Sequence, residues 1–107
     1  MAVTSTQSNH HVRNVAVGRY LTDGTAAAFT ITTGFQPRYV KIVSNTSSDW
    51  EEWFEGMASP SAHKVVAAGT GSAITTNGIT VSASGFTVGL DTDINVTNEQ
   101  ISWIAMG

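Results

Sequence analysis

From Asn14 onward the chain reads as short runs in which apolar and polar residues alternate, separated by turn residues. A period of two is what a half-buried strand requires, because successive side chains leave opposite faces. Val15, Val17 and Arg19 alternate with Ala16 and Gly18. Asp23-Gly24 predicts a tight turn, since this pair tolerates positive φ. A second run, Ala27 to Thr33, sets Phe29 and Ile31 on one face and Thr30 and Thr32 on the other. Gly34-Phe35-Gln36-Pro37 ends it, because proline has no N–H to give to a ladder. Arg38 to Asn45 follows, with Val40 and Ile42 opposed to Tyr39, Lys41 and Val43. His63 to Ala67 is a short strand, and Asn77-Gly78 between Ala73–Thr76 and Ile79–Ser82 predicts a two-residue hairpin. Phe86 to Val88 and Gln100 to Met106 complete the series, the last with Ile101, Trp103 and Ala105 alternating against Ser102, Ile104 and Met106. About eight short strands with turns at this spacing predict an all-β fold, an antiparallel β-sandwich or barrel.

Two segments need separate treatment. Residues 1–12 are small and polar, and they read as an extended N-terminal arm ahead of a single domain over 13–107. Within the arm, Val3, His10, His11 and Val12 are candidates for contact with a neighbouring subunit; the plainer reading is a frayed terminus. The second segment is Asp49 to Met57, which holds Trp50, Trp53 and Phe54 among Glu51, Glu52 and Glu55. As a helix it would carry Ser48 and Glu51 as a capping box and gather the aromatics at helical spacing. Barely two turns would hold it, however, and aromatics at this density favour a strand paired with 38–45. The strand reading puts Trp50 and Phe54 together on one face and Trp53 on the other. Assigning the pair to the core leaves Trp53 outside between Glu51 and Glu55, as an interface residue. The alternative is that both tryptophans pack in the core.

Composition narrows the function. Of the 107 residues, 41% are hydrophobic and 12% are charged, with 26 serines and threonines filling the difference. That mixture suits strands and turns over helices. The formal charge is −3, and the five basic residues Arg13, Arg19, Arg38, Lys41 and Lys64 are scattered. Phosphate binding needs clustered cations, so no nucleic-acid partner is expected. No apolar run approaches the ~20 residues of a membrane-spanning helix, so no membrane partner is expected either. The first residues lack the basic and apolar regions of a signal peptide, which predicts synthesis and use without export through the secretory route. The absence of cysteine excludes disulfides and thiolate chemistry. A domain this small then needs another source of stability, and self-association is one.

No motif carries catalytic or cofactor chemistry, so no enzyme and no cofactor are expected. His10, His11 and His63 lack a carboxylate at ligand spacing. Glu51, Glu52 and Glu55 lie on one element, whereas paired carboxylate catalysis needs two groups across a cleft. Asp91-Thr92-Asp93-Ile94-Asn95 opens like a calcium loop, but Val96 stands where the turn glycine belongs and Ser102 where the closing glutamate belongs. A polar turn capped by Asx side chains is the simpler reading.

Residues Gly34 to Val43, followed by Glu52-Trp53-Phe54-Glu55-Gly56-Met57, resemble a set of small virion proteins of tailed bacteriophages. Gly78-Ile79-Thr80-Val81, Gly85-Phe86-Thr87-Val88-Gly89 and the closing aromatic strand are similar too, so the resemblance covers most of residues 20–107. It implies a structural role with no catalytic residues to carry over. Small all-β members of such sets serve as capsid decoration, or cement, proteins on the outside of the head, where they bind neighbouring major capsid subunits as dimers or trimers. The resemblance therefore implies the outer capsid surface of a virion as location, the host cytoplasm as place of synthesis, the major capsid protein as partner, and a dimer or trimer; the thin core, the absence of disulfides and the surplus of aromatics predict a homo-oligomer, a trimer ahead of a dimer. The alternative is a receptor- or carbohydrate-binding module of a tail fibre or baseplate.

Overall fold

The computed structural model of the chain describes residues 14–22, 28–67, 69–91, 93–95 and 98–107. The predicted arm, its candidates Val3, His10, His11 and Val12, and the Asp23-Gly24 turn lie outside these residues. Among the described residues nine strands form: β1 (Val15–Leu21), β2 (Phe29–Thr32), β3 (Tyr39–Ser44), β4 (Trp50–Phe54), β5 (Ala62–Val65), β6 (Gly71–Ile74), β7 (Ile79–Ser82), β8 (Gly85–Val88) and β9 (Gln100–Met106). No helix occurs among the described residues. The strands build two antiparallel sheets, one of six in the order β1-β9-β3-β4-β5-β6 and one of three in the order β2-β8-β7. The fold is an all-β sandwich.

The two sheets close on a core of Val40, Ile42, Trp53, Ile79, Phe86, Val88, Ile94, Ile101 and Ala105. The strands that enter this core contribute residues of one parity, as the alternation predicts. Val40 and Ile42 of β3 are fully buried while Tyr39, Lys41 and Val43 are half-buried on the other side. Trp103 of β9 crosses the interior to Phe86 of the smaller sheet, edge to face at 5.4 Å between centroids. Its indole lies over Gly18 of β1, directly opposite in register. A Cβ at Gly18 would stand 2.6 Å from the Trp103 ring, so only glycine admits the ring here.

Residues 50–54 form a strand, and Trp50 and Phe54 share a face as expected. The inside is the opposite one: Glu51 and Trp53 are buried, and Phe54 is 46% exposed. The assignment of Trp50 and Phe54 to the core, and of Trp53 to the surface between Glu51 and Glu55, is thereby corrected. Register is the reason. β3 sets Val40 opposite Trp53 and Ile42 opposite Glu51, and residues opposite one another on paired strands leave the same side. The β3 valine and isoleucine are both fully buried, so Trp53 goes in with them and carries Glu51 along.

The Asn77-Gly78 hairpin is also corrected. β6 pairs with β5 in the large sheet, while β7 pairs with β8 in the small one, so this dipeptide carries the chain from one layer to the other. Asn77 takes the left-handed conformation (φ 59°). Gly78 N–H donates to the Pro60 carbonyl at 2.9 Å, and a Cβ there would stand 2.6 Å from the same oxygen. The permissiveness that suits Asn-Gly to tight hairpins here permits a close backbone crossing. The actual β7–β8 hairpin turns at Ala83-Ser84, pairing Ser82 with Gly85.

Candidate interaction surface

The large sheet has a second face, turned away from the core. Its cross-strand rows follow from the register. One row runs Val15, Met106, Tyr39, Phe54; the next Val17, Ile104, Lys41, Glu52, His63; the third Arg19, Ser102, Val43, Trp50, Val65. Most of these side chains are apolar. Val15, Val17 and Leu21 of β1 are 55%, 70% and 68% exposed, the highest values among the large hydrophobic residues described. Burying such side chains contributes about 1.5–3 kcal/mol each, so their exposure is a cost the chain carries alone. Contiguous apolar surface of this kind marks contact sites in soluble proteins.

A few polar contacts organise the face. The Lys41 ammonium lies 4.7 Å from the Trp50 ring centroid, a cation–π contact that covers part of the indole. Tyr39 donates its hydroxyl hydrogen bond to Glu52 at 2.5 Å and tilts against Phe54, 5.1 Å between centroids. Arg38 and Glu55 pair at the rim at 3.1 Å. Lys41, Val43, Ser102 and Ile104 border a shallow hollow of about 170 Å³.

Of the sequence-predicted contact residues, only Glu55 is on the surface among those described, and it is held by Arg38. Trp53 and Glu51 lie inside, so neither can meet a partner directly. Glu51 has both carboxyl oxygens buried without a hydrogen-bond partner, and the Tyr20 hydroxyl and Trp53 Nε1 are unpartnered as well. Burial, reinforced by Asp91 and Asp93 and opposed by Lys64, pushes the Glu51 carboxyl up to about 8. Burial, with Glu51 and Glu99 adding to it, likewise raises Tyr20.

Beside Glu51 stands a half-buried ion cluster that sequence reasoning missed. Lys64 Nζ bonds Asp91 at 2.9 Å and also pairs with Asp93. These bonds outweigh the opposing effect of burial and leave Lys64 raised. In the segment that opens like a calcium loop, the ammonium therefore occupies the place between the two carboxylates. The turn is closed by its own backbone: Asp93 N–H donates to Asp91 Oδ1 at 2.8 Å and Asn95 N–H to the Asp91 carbonyl at 2.8 Å. Among the described residues no group of three or more His, Cys, Asp or Glu side chains is placed to hold a metal. The available signal was parity, because Lys64 falls on the same side of β5 as the buried Ala62.

No protein-family model, no curated protein and no solved structure matches the chain.

Proposed function

We propose that this protein is a non-catalytic attachment module that decorates a phage capsid by binding neighbouring major capsid subunits on the outside of the shell. The observation that supports the reading is the outer face of the six-stranded sheet, where Val17, Val15, Leu21, Ile104, Trp50 and Phe54 meet solvent together. An apolar sheet face with a charged rim fits a flat protein partner, and many copies on one lattice gain through multivalency. The sequence resemblance supplies the identity of the partner. The test is co-sedimentation of the purified chain with undecorated heads. Binding that saturates at one site per capsid-subunit cluster, and that Phe54→Glu abolishes while the chain stays folded, is the expected result. Full binding by that variant would overturn the reading. Deleting residues 1–11 tests the arm: weakened decoration is expected.

A second reading, a receptor- or glycan-binding module of a tail fibre or baseplate, is favoured by the exposed ring of Phe54, flanked by Tyr39, which could stack on a sugar. Copy number per virion separates the two. Hundreds of copies support decoration; a few dozen, together with glycan binding, support the tail.

A further inference from the structure

We infer that β1 is a self-pairing edge: two copies of this chain join antiparallel through Val15–Leu21, making one continuous twelve-stranded sheet. This proposal does not depend on what the outer face binds.

β1 borders the large sheet, and among the described residues no strand pairs with its free side. Which backbone groups point to that side follows from the register. Gly107 N–H donates to the Asn14 carbonyl and Thr22 N–H to the Glu99 carbonyl. In an antiparallel ladder such bonds recur at every second residue, so Asn14, Ala16, Gly18, Tyr20 and Thr22 face β9. The N–H and C=O groups of Val15, Val17, Arg19 and Leu21 therefore face outward. Natural edges are guarded by short length, lysine, proline or a bulge. The other edges, β2, β6 and β7, are four residues each, whereas β1 has seven in unbroken register with β9. Its single charge is Arg19.

The strand is also complementary to itself. A two-fold axis at Gly18 uses all seven residues and sets Val15 opposite Leu21 and Val17 opposite Arg19 of the partner subunit. The four outward-facing residues of each copy then exchange about eight backbone hydrogen bonds, two per facing pair. The register keeps the two arginines from standing directly opposite and brings exposed Val15 against Leu21. Such an axis lies normal to the sheet, so the two apolar outer faces emerge on the same side as one surface of twice the width. A two-fold isologous contact closes at a dimer, in place of the trimer expected from the sequence.

The experiment uses the full chain. Sedimentation equilibrium at micromolar to sub-millimolar concentration is expected to show a dimer, and a monomer throughout would overturn the proposal. Two further arms read the register. Val17→Lys puts a second cation opposite Arg19 of the partner subunit at two symmetry-related places and should weaken the dimer about tenfold; Val17→Glu supplies the opposite charge and should leave it at least as tight. Equal weakening by both would overturn the pairing, even if dimers form. The chain has no cysteine, so engineered ones report alone. The double variant Val15→Cys, Leu21→Cys should crosslink two chains on mild oxidation, since facing Cα atoms about 5.5 Å apart suit a disulfide. Each single variant should not, because its copies sit about six residues apart along the strand. Crosslinking by the singles alone, or by none, would sink the register.

Discussion

The sandwich has two outward faces built on opposite chemical plans. On the small sheet, Thr30, Thr32, Thr80, Ser82 and Thr87 face solvent, and the hydroxyls of Thr30 and Thr87 bond at 2.9 Å across the β2–β8 pair. On the large sheet the corresponding positions hold mostly apolar residues, Val15, Val17, Leu21, Ile104, Met106, Val43, Trp50 and Phe54, with Arg19, Lys41, Glu52, His63 and Ser102 among them. Both are the outer sides of half-buried antiparallel sheets, for which one solvated polar face is the ordinary arrangement. Only the small sheet follows it. Threonine keeps β propensity while leaving water undisturbed, so the hydroxyl face reads as a surface that meets only solvent. The apolar face is the one that the proposed partner would cover.

This contrast depends on which side of β4 is interior, and the largest expected effect tests that. Trp53→Ala should lower stability by about 3–5 kcal/mol, the cost of emptying a core aromatic site, measured by urea unfolding. Phe54→Ala, one residue away, should cost about 1 kcal/mol, chiefly its contact with Tyr39. Equal losses would break the distinction between the faces.

Gly18→Ala comes next. The new methyl would meet the Trp103 ring at 2.6 Å, and overpacking of this kind costs about 1–3 kcal/mol. The shift of Trp103 should also reduce its near-ultraviolet circular dichroism. A melting point and spectrum like those of the parent would mean that the ring does not close β1 onto the core.

The third expectation concerns pH. The Glu51 carboxyl, ordinarily near 4.5, is pushed up to about 8 in the folded chain. The folded state therefore holds this proton more tightly than the unfolded state, and ∂ΔG/∂pH of unfolding is negative between the two values. The contribution is fully present below pH ~4.5, declines as pH rises through about 8 and is level above it. Glu51→Gln keeps the shape of the protonated acid without ionising. Thermal melts from pH 5 to 9 should show the parent falling relative to the variant, with the widest gap at the alkaline end. Parallel curves would show that Glu51 is solvated and that the inner face of β4 is wet.

The smallest effect sharpens the contrast from the other side. Thr80→Val on the hydroxyl face should change stability by less than about 0.5 kcal/mol and leave sedimentation unchanged. A new tendency to associate would show that hydroxyl groups there act to keep that face apart from other chains.

Much of the fold was legible along the chain. The predicted closing strand matches β9 end to end, and the alternation of Val40 and Ile42 against Tyr39, Lys41 and Val43 is the one β3 adopts. The candidate surface was legible only in part. The aromatic-rich segment stands out by its density, yet its spacing does not show that Trp53 points inward, and β1, the most exposed apolar strand, shows along the chain only an alternation. Valines at Val15 and Val17 carry no mark of the side they face, because the residues between them, Ala16 and Gly18, are small and no more polar. Trp103 fills the space above Gly18, and that contact joins positions 85 apart in the chain.

By itself the amino-acid order determined the period of two, the strand count to within one and the residues that share a face, since all of these depend on neighbours along the backbone. Which face is inside, and that Asn77-Gly78 passes between sheets, were decided by tertiary structure alone. Parity is a local property. Interior is defined by what lies across the ladder and in the opposite layer: Val40 and Ile42 beside β4, and Phe86 above Trp103.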